Sequence, residues 1–157
     1  MKESVYLETS VVSYYTGRPS RDLIVLAHQQ ITRDWWEIAL EEYNIYISEI
    51  VIEEMSMGDS EAVSKRFDAV KDFAKLELNE NVEKLMDIYM TKLEIPPKAF
   101  RDALHLAFTS VHEIDYLVTW NCTHIANVNI IKKVRRINTE LNMPIPIICT
   151  PEEFEKG

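Results

Sequence analysis

The sequence contains few cysteines and lacks a long apolar run. Only Cys122 and Cys149 occur, and neither lies in a Cys-x-x-Cys or Cys/His metal-binding pattern. Such sparse cysteine usage favours the reducing cytoplasm. No apolar stretch approaches the length that crosses a bilayer, and Met1-Lys2-Glu3 leads directly into a strand-like segment. We therefore expect neither a signal peptide nor an association with membranes.

Basic residues are also scarce. The chain has 17 Lys and Arg against 26 Asp and Glu, which gives a net charge of −9. A surface with this balance does not bind nucleic acids strongly and non-specifically through charge alone. Part of the excess negative charge would be offset if several carboxylates held divalent cations.

What is present is typical of a globular domain. A length of 157 residues suits one domain with a real core, and we expect residues 1–157 to form it. The hydrophobic fraction of 46% and the charged fraction of 27% are ordinary for such a protein.

Strand-like segments alternate with helical ones along the chain. Strands are predicted at residues 4–7, 45–48, 75–78, 116–119 and 145–149, and the main helices at residues 11–15, 23–43, 49–57, 60–73, 80–92 and 128–142. This order predicts an α/β fold with three α/β/α layers around a central parallel sheet of about five strands.

Residues 98–127 organise this pattern, because they combine a buried helix with an acid and a following strand. Pro96 and Pro97 fix the start of the helix. One face carries a regular apolar stripe of Phe100, Ala103, Leu104, Ala107, Phe108 and Val111. Asp102 lies on a second face that is also small or apolar. An acid on the buried side of a helix needs a partner.

Three polar residues are predicted to converge with Asp102 at one edge of the sheet. Glu8 ends the first strand, Glu54 follows the second, and Asn121 ends the fourth. Parallel strands place ligand sites at their carboxyl ends. For Glu8 alone, a solvated acid that favours the dipole of the next helix is an equally acceptable interpretation. Thr9 and Ser10 are good N-cap residues for that helix.

Further candidates are basic or aromatic. Arg18 and Arg21 are possible phosphate contacts, although solvated surface arginines explain them as well. The chain has one basic cluster, formed by Lys132, Lys133, Arg135 and Arg136, which is either a solvated helix face or a contact with nucleic acid or a partner. The long helix 23–43 is expected to bury a stripe of Leu23, Leu26, Ala27, Ile31, Ile38 and Ala39. Trp35 and Trp36 are expected to pack at the edge of that stripe.

Two histidines lie close to the acids in sequence. His105 follows Asp102 by three residues, and we expect it to point away from the face of Asp102, either paired with a partner or exposed. His124 follows Asn121 by three residues and is expected to contact a phosphate or to cap the loop. Neither is expected to bind a metal, because hard cations prefer oxygen.

Four motifs in order resemble those of the PIN domain, the nuclease fold of VapC-type toxins. They read VYLETS, ISEIVIEEM, RDALHLA and DYLVTWN. The four acids of the family fall on Glu8, Glu54, Asp102 and Asn121, and the Thr or Ser after the first acid falls on Thr9 or Ser10. The family usually has Asp at the first and fourth positions, so Glu8 is one methylene longer and Asn121 lacks a charge.

The resemblance implies a metal-dependent endoribonuclease that uses Mg²⁺ or Mn²⁺. Glu8, Glu54 and Asp102 would bind the ion, and Asn121 would reach it through a water or not at all, so we expect one well-occupied ion. RNA would be the substrate, a small antitoxin protein a partner, and a homodimer the assembly.

Two other functions compete with this one. A PIN-fold module that binds RNA or a protein and cleaves weakly or not at all fits the altered residues Glu8 and Asn121. A phosphoacceptor receiver domain is also a parallel α/β protein, but it requires an Asp after the third strand and a Lys after the fifth. Asn79 and Thr150 stand there instead.

Overall fold

A five-stranded parallel sheet forms the centre of the protein in the computed structural model, which describes residues 1–154. The strands are β1 Ser4–Leu7, β2 Asn44–Ser48, β3 Ala74–Leu76, β4 Tyr116–Val118 and β5 Ile147–Cys149. Their order across the sheet is β3-β2-β1-β4-β5, and each neighbouring pair is parallel. Residues 155–157, which complete the predicted domain, lie outside the described residues.

Helices flank the sheet. They are α1 Thr9–Thr16, α2 Leu23–Glu42, α3 Glu49–Met55, α4 Ser60–Val70, α5 Glu80–Lys92, α6 Phe100–Val111 and α7 Val128–Glu140, with 3₁₀ turns at Pro97–Ala99 and Pro151–Phe154. The predicted three-layer α/β/α fold with a parallel sheet is therefore confirmed. Among residues 1–154, no helix has both the length and the apolar character needed to cross a bilayer.

Strand β1 lies at the middle of the sheet and is its most deeply buried part. Val5, Tyr6 and Leu7 are fully buried. From β1 the chain builds outward through β2 to β3 and then returns to place β4 on the other side of β1. This reversal of direction opens a crevice beyond the carboxyl ends of β1 and β4, the position at which parallel α/β folds bind ligands.

Several predicted boundaries shift for local reasons. Strand β3 ends at Leu76 rather than at residue 78, and the amide of Leu78 donates instead to the Glu49 carboxylate at 2.6 Å. Strand β5 begins at Ile147 because Pro144 and Pro146 have no N–H to donate to a neighbouring strand. Helix α7 ends at Glu140, two residues before Asn142 takes up a positive φ of 54°.

The expected buried stripe of α2 is correct for Ala39, which is buried, and wrong for three of its other members. Leu23 and Ile38 are 80% and 53% exposed, and Ala27 is exposed as well. The buried face instead carries Gln29, Thr32, Trp35, Trp36 and Ala39.

Two polar residues on this face explain the error, since each has a partner that the sequence does not reveal. Gln29 accepts from the amide of Ser20 and donates to the carbonyl of Arg18, while Thr32 accepts from the indole of Trp120. Trp35 and Trp36 are both buried and pack against other aromatic rings, as expected of packing residues.

A buried polar cluster joins α5, α6 and α7. The Tyr89 hydroxyl donates to Asn138 Oδ1 and lies 3.0 Å from Ser110 Oγ. Asn138 Nδ2 donates to Ser110 Oγ at 3.0 Å and to the carbonyl of Pro144 at 2.8 Å. Burial raises the pKa of Tyr89 to about 12, so its hydroxyl stays protonated and needs these partners.

We expect Asn138→Ala to lower the free energy of unfolding by about 1–3 kcal/mol, because it leaves two buried hydroxyl groups short of partners. Chemical denaturation measures this loss. Asn129→Ala changes an exposed residue of the same helix and serves as the control, with an expected change within about 0.5 kcal/mol. Equal effects of the two substitutions would contradict a structural role for the cluster.

Candidate functional site

Glu8 lies where β1 meets α1, and its side chain caps the helix. One carboxylate oxygen, Oε1, accepts from the amide of Ser10 at 3.0 Å, from the Ser10 hydroxyl, and from Thr119 Oγ1 at 2.6 Å. The residue is only 5% exposed. Glu8 is therefore the N-cap that we expected Thr9 or Ser10 to be, and the interpretation of Glu8 as a solvated acid is wrong.

Glu54 approaches the same place from α3, a helix that begins at the capping residue Ser48. Glu54 Oε1 accepts from Thr9 Oγ1 at 2.6 Å and lies 2.6 Å from Nε2 of His105. The hydroxyl groups of Thr9 and Ser10 therefore have different partners: that of Thr9 donates to Glu54, and that of Ser10 donates to Glu8.

His105 of α6 lies between the two glutamates. Its side chain is fully buried, with Nε2 at 4.0 Å from Glu8 Oε2. Its other ring nitrogen, Nδ1, lies 2.6 Å from the Tyr6 hydroxyl, which is 2.8 Å from Ser48 Oγ. His105 was expected to point away from the face of Asp102 and to be either paired or exposed. The paired alternative is confirmed, since His105 bonds to Tyr6 and Glu54 whereas Asp102 bonds to Asn121 and His124.

The electrostatics of this group favour a charged pair. Burial lowers the pKa of His105, but the hydrogen bond with Glu54 and the charges of Glu8, Glu54 and Asp102 outweigh it and raise that pKa above 6.5. Burial likewise raises the pKa of Glu54, but the bonds and charge from His105, with contributions from Thr9 and Arg101, bring it below 4.5. An imidazolium between two carboxylates relieves their mutual repulsion.

Asp102 lies next to this group but points to other partners. Asn121 Nδ2 donates to Asp102 Oδ1 at 3.0 Å, and His124 Nδ1 lies 2.8 Å from Asp102 Oδ2. Asn121 Oδ1 accepts from the amides of Thr123 and His124, so Asn121 caps the loop and holds Asp102 at the same time. His124 is thus a partner of Asp102.

An aromatic stack borders the acids, and no pattern in the sequence predicted it. The indole of Trp120 stacks on His28 at 4.1 Å between ring centroids and lies 6.0 Å from the ring of Tyr14. The amide of Trp120 donates to Ser10 Oγ at 2.9 Å, and Ser10 in turn holds Glu8. All three rings are partly exposed.

The predicted basic contacts lie on the surface. Arg18 pairs with Glu61 at 3.5 Å, and Arg21 is exposed. On α7, Lys132, Arg135 and Arg136 are exposed and Lys133 is half-buried. Within residues 1–154, none of these four α7 residues has a carboxylate partner within 4 Å.

The side chains present can hold a divalent cation. Glu8, Glu54 and His105 each offer one ligand atom, and these atoms lie within 4.8 Å of one another. Carboxylate oxygens with an imidazole nitrogen form a donor set that suits several divalent metals. Asp102, which the sequence predicts as the third ligand, lies outside this group of three, and its role stays a prediction.

Comparison with solved structures identifies a similar fold. The chain matches a chain in the crystal structure of VapBC2 from Rickettsia felis bound to a DNA fragment from their promoter, with a TM-score of 0.61 and 18% sequence identity. The match covers 94% of this chain and 98% of that chain. No protein-family model and no curated protein sequence matches. At this identity the likeness shows the fold alone, and it supports the predicted PIN-like architecture.

The two pKa shifts predict how the stability of the metal-free protein depends on pH. The lowered pKa of Glu54 stabilises the fold above pH 4.5, and this contribution is lost on acidification. The raised pKa of His105 stabilises the fold below pH 6.5, and this contribution is lost as the pH rises through the folded-state value. Stability should therefore be greatest between these values.

His105→Gln tests the alkaline part of this profile. The stability difference from the wild type should be largest near about pH 5.5 and smaller near about pH 9, as measured by denaturation across pH. His112→Gln, which removes a histidine that bonds only to a carbonyl, is the control and should leave the pH profile unchanged. A wild-type stability that does not fall between these two pH values would contradict the shift of His105.

Proposed function

We propose that this protein is a divalent-metal-dependent endoribonuclease of the VapC toxin type, which hydrolyses RNA phosphodiester bonds. One observation carries this proposal. Glu8, Glu54 and His105 lie close together beyond the carboxyl ends of β1 and β2, next to the crevice where the strand order changes direction. The shared fold with VapBC2 supports it.

The proposed chemistry needs several negative charges around one ion. Mg²⁺ or Mn²⁺, when bound, would lower the pKa of a water molecule and offset the charge that develops on the phosphodiester. Glu8 and Glu54 supply carboxylates from two different elements, each fixed by hydroxyl donors. We propose Asp102 as the third acid, oriented by Asn121 and His124.

An RNA substrate is supported by what surrounds the acids. The partly exposed rings of Tyr14, His28 and Trp120 offer aromatic surface next to Glu8, and unpaired bases stack on such surfaces. The basic strip of α7, formed by Lys132, Lys133, Arg135 and Arg136, is free to meet phosphates and would offset the net charge of −9 locally.

The likeness to a chain of a VapBC2 complex supports a small antitoxin protein as a proposed partner. We further propose that the protein acts in the cytoplasm as a homodimer. Arg18 and Arg21 stay proposed contacts for RNA, because both are exposed beside the turn that precedes α2.

A second candidate function is an RNA- or protein-binding module with weak or no nuclease activity. One observation favours it, since several ligand atoms of the site already have partners within the protein. Glu8 Oε1 has three donors, and Asn121 Oδ1 accepts from two loop amides. These two oxygens are therefore poorly placed to bind a cation directly.

Cleavage should depend on the acids and on the cation. We expect slow hydrolysis of single-stranded RNA in millimolar Mn²⁺, reduced about a hundredfold or more by Asp102→Asn or Glu54→Gln, because each removes a charge that offsets the cation. Glu83→Gln, which neutralises an exposed glutamate of α5, is the matched control and should cleave normally. Gel assays on a panel of RNAs measure the rates.

The same series separates the two functions. Mn²⁺ should raise the melting temperature of the wild type, since it binds the native state. Binding of RNA without cleavage of any RNA in the panel would establish the binding module instead.

The basic strip of α7 should govern the affinity for RNA. Replacing Lys132 and Arg136 together by Ala should weaken binding and reduce the salt dependence of the association constant by a slope of about 1–2. Fluorescence anisotropy at several salt concentrations measures both. Replacing Lys71 and Lys84, which pair with Asp68 and Glu80, is the control. Identical salt slopes in all three proteins would remove the strip from the RNA-binding surface.

A further inference from the structure

We propose that His105 supplies a nitrogen ligand, through Nε2, to the divalent cation, so that Glu8, Glu54 and His105 form a mixed oxygen–nitrogen set. This inference rests on the proposed function, because it concerns the cation of the same site. It differs from the three-carboxylate set that the sequence predicts.

The first support is position. His105 Nε2 lies 2.6 Å from Glu54 Oε1 and 4.0 Å from Glu8 Oε2, and one ligand atom from each residue lies within 4.8 Å of the others. Ligand atoms that share one ion lie about 2.0–2.2 Å from it, so they approach one another within about twice that distance. Small side-chain movements therefore suffice to place these three atoms around one ion.

The second support is the way in which the ring is held. The Tyr6 hydroxyl lies 2.6 Å from Nδ1, and its own proton can go to Ser48 Oγ at 2.8 Å. In that arrangement Nδ1–H donates to Tyr6 and Nε2–H donates to Glu54. A cation that binds at the carboxylates would displace the Nε2 proton and take the lone pair of Nε2 as a ligand, while Nδ1–H keeps the ring in place. Histidines that bind metals are oriented in this manner through their second nitrogen.

The third support is the position of the third acid. Asp102 gives one oxygen to Asn121 and the other to His124, at 3.0 and 2.8 Å. Both oxygens of Asp102 are thus engaged by partners outside the group, whereas His105 Nε2 lies against Glu54 within it. Asp102 therefore acts at the border of the site, and the inner set has two carboxylates.

A nitrogen ligand has a consequence for the choice of metal. Imidazole favours first-row transition metals, while Mg²⁺ prefers oxygen and retains its waters. Wild-type protein should therefore bind Mn²⁺ more tightly than Mg²⁺. In His105→Gln the ratio of the Mg²⁺ dissociation constant to the Mn²⁺ dissociation constant should fall by about tenfold or more. The reason is that Gln keeps an N–H donor for Glu54 but removes the nitrogen ligand.

Pulsed electron paramagnetic resonance of bound Mn²⁺ detects the nitrogen directly. The experiment compares natural-abundance protein with protein that carries ¹⁵N-labelled histidine, in a nitrogen-free buffer and without a histidine tag. We expect ¹⁴N modulation in the first sample and its replacement by ¹⁵N coupling in the second. The signal should disappear in His105→Gln and persist in His124→Gln, which changes the histidine that holds Asp102.

The outcomes distinguish this inference from the proposed function. Mn²⁺ that binds without any nitrogen coupling would overturn the role of His105 as a ligand and leave the metal-dependent nuclease standing. Coupling that is lost in His124→Gln but kept in His105→Gln would also overturn it, in favour of His124. A wild type that binds no Mn²⁺ would overturn both proposals.

A further variant covers the case in which His105→Gln does not fold. The chain contains four histidines, so replacing His28, His112 and His124 by Gln leaves His105 as the sole imidazole. Retained ¹⁴N coupling in this triple variant supports His105 as the ligand, and lost coupling with bound Mn²⁺ excludes it.

Discussion

Two carboxylates of like charge, Glu8 and Glu54, are held together at a place where little water reaches them, and much of the surrounding structure compensates for this. Repulsion between buried acids is costly unless positive charge or hydrogen-bond donors face them. Here the donors come from α1, from the residue that follows β4 and from α6. They are Thr9, Ser10, Thr119 and His105.

The compensation extends into the core. Tyr6 lies on the central strand, where buried positions are usually apolar. Its hydroxyl forms hydrogen bonds both with His105 and with Ser48 at the end of β2. Burial raises the pKa of Tyr6 well above its usual value, and the charges of Glu8 and Glu54 raise it further. The hydroxyl therefore stays a neutral group that can serve both neighbours. Core packing and site geometry depend on the same residue.

Local patterns in the sequence were sufficient for the elements but not for the contacts between them. The bounds of β1 and α5 were predicted to the residue, because each has an uninterrupted apolar pattern and a clear cap. The positions of Glu8 and Glu54 at one edge followed from the parallel sheet. The buried face of α2 was missed because Gln29 and Thr32 are satisfied by residues elsewhere in the chain.

His105 was missed for a similar reason. Its spacing from Asp102 shows only that the two side chains diverge around a helix, and the partners that draw it inward belong to β1 and α3. Tyr6 was the available signal, since a polar group at a central strand position requires a buried partner. Asn121 was predicted to lie at the site edge, but its amide contacts both the loop and Asp102, which spacing alone does not reveal.

The pairing of β1 with β4 has a consequence for how the protein is made. Val5 pairs with Tyr116, and Glu8 accepts a hydrogen bond from Thr119. These contacts of β1 and the residue after it therefore require partners that lie more than a hundred residues later in the chain. Contacts of such separation form late in folding. A ribosome must therefore synthesise most of the polypeptide before the crevice can close, and shorter translation products lack the complete group of side chains. For a chain whose finished form is proposed to cut RNA, this order would keep the nascent form inert beside the RNAs of the ribosome.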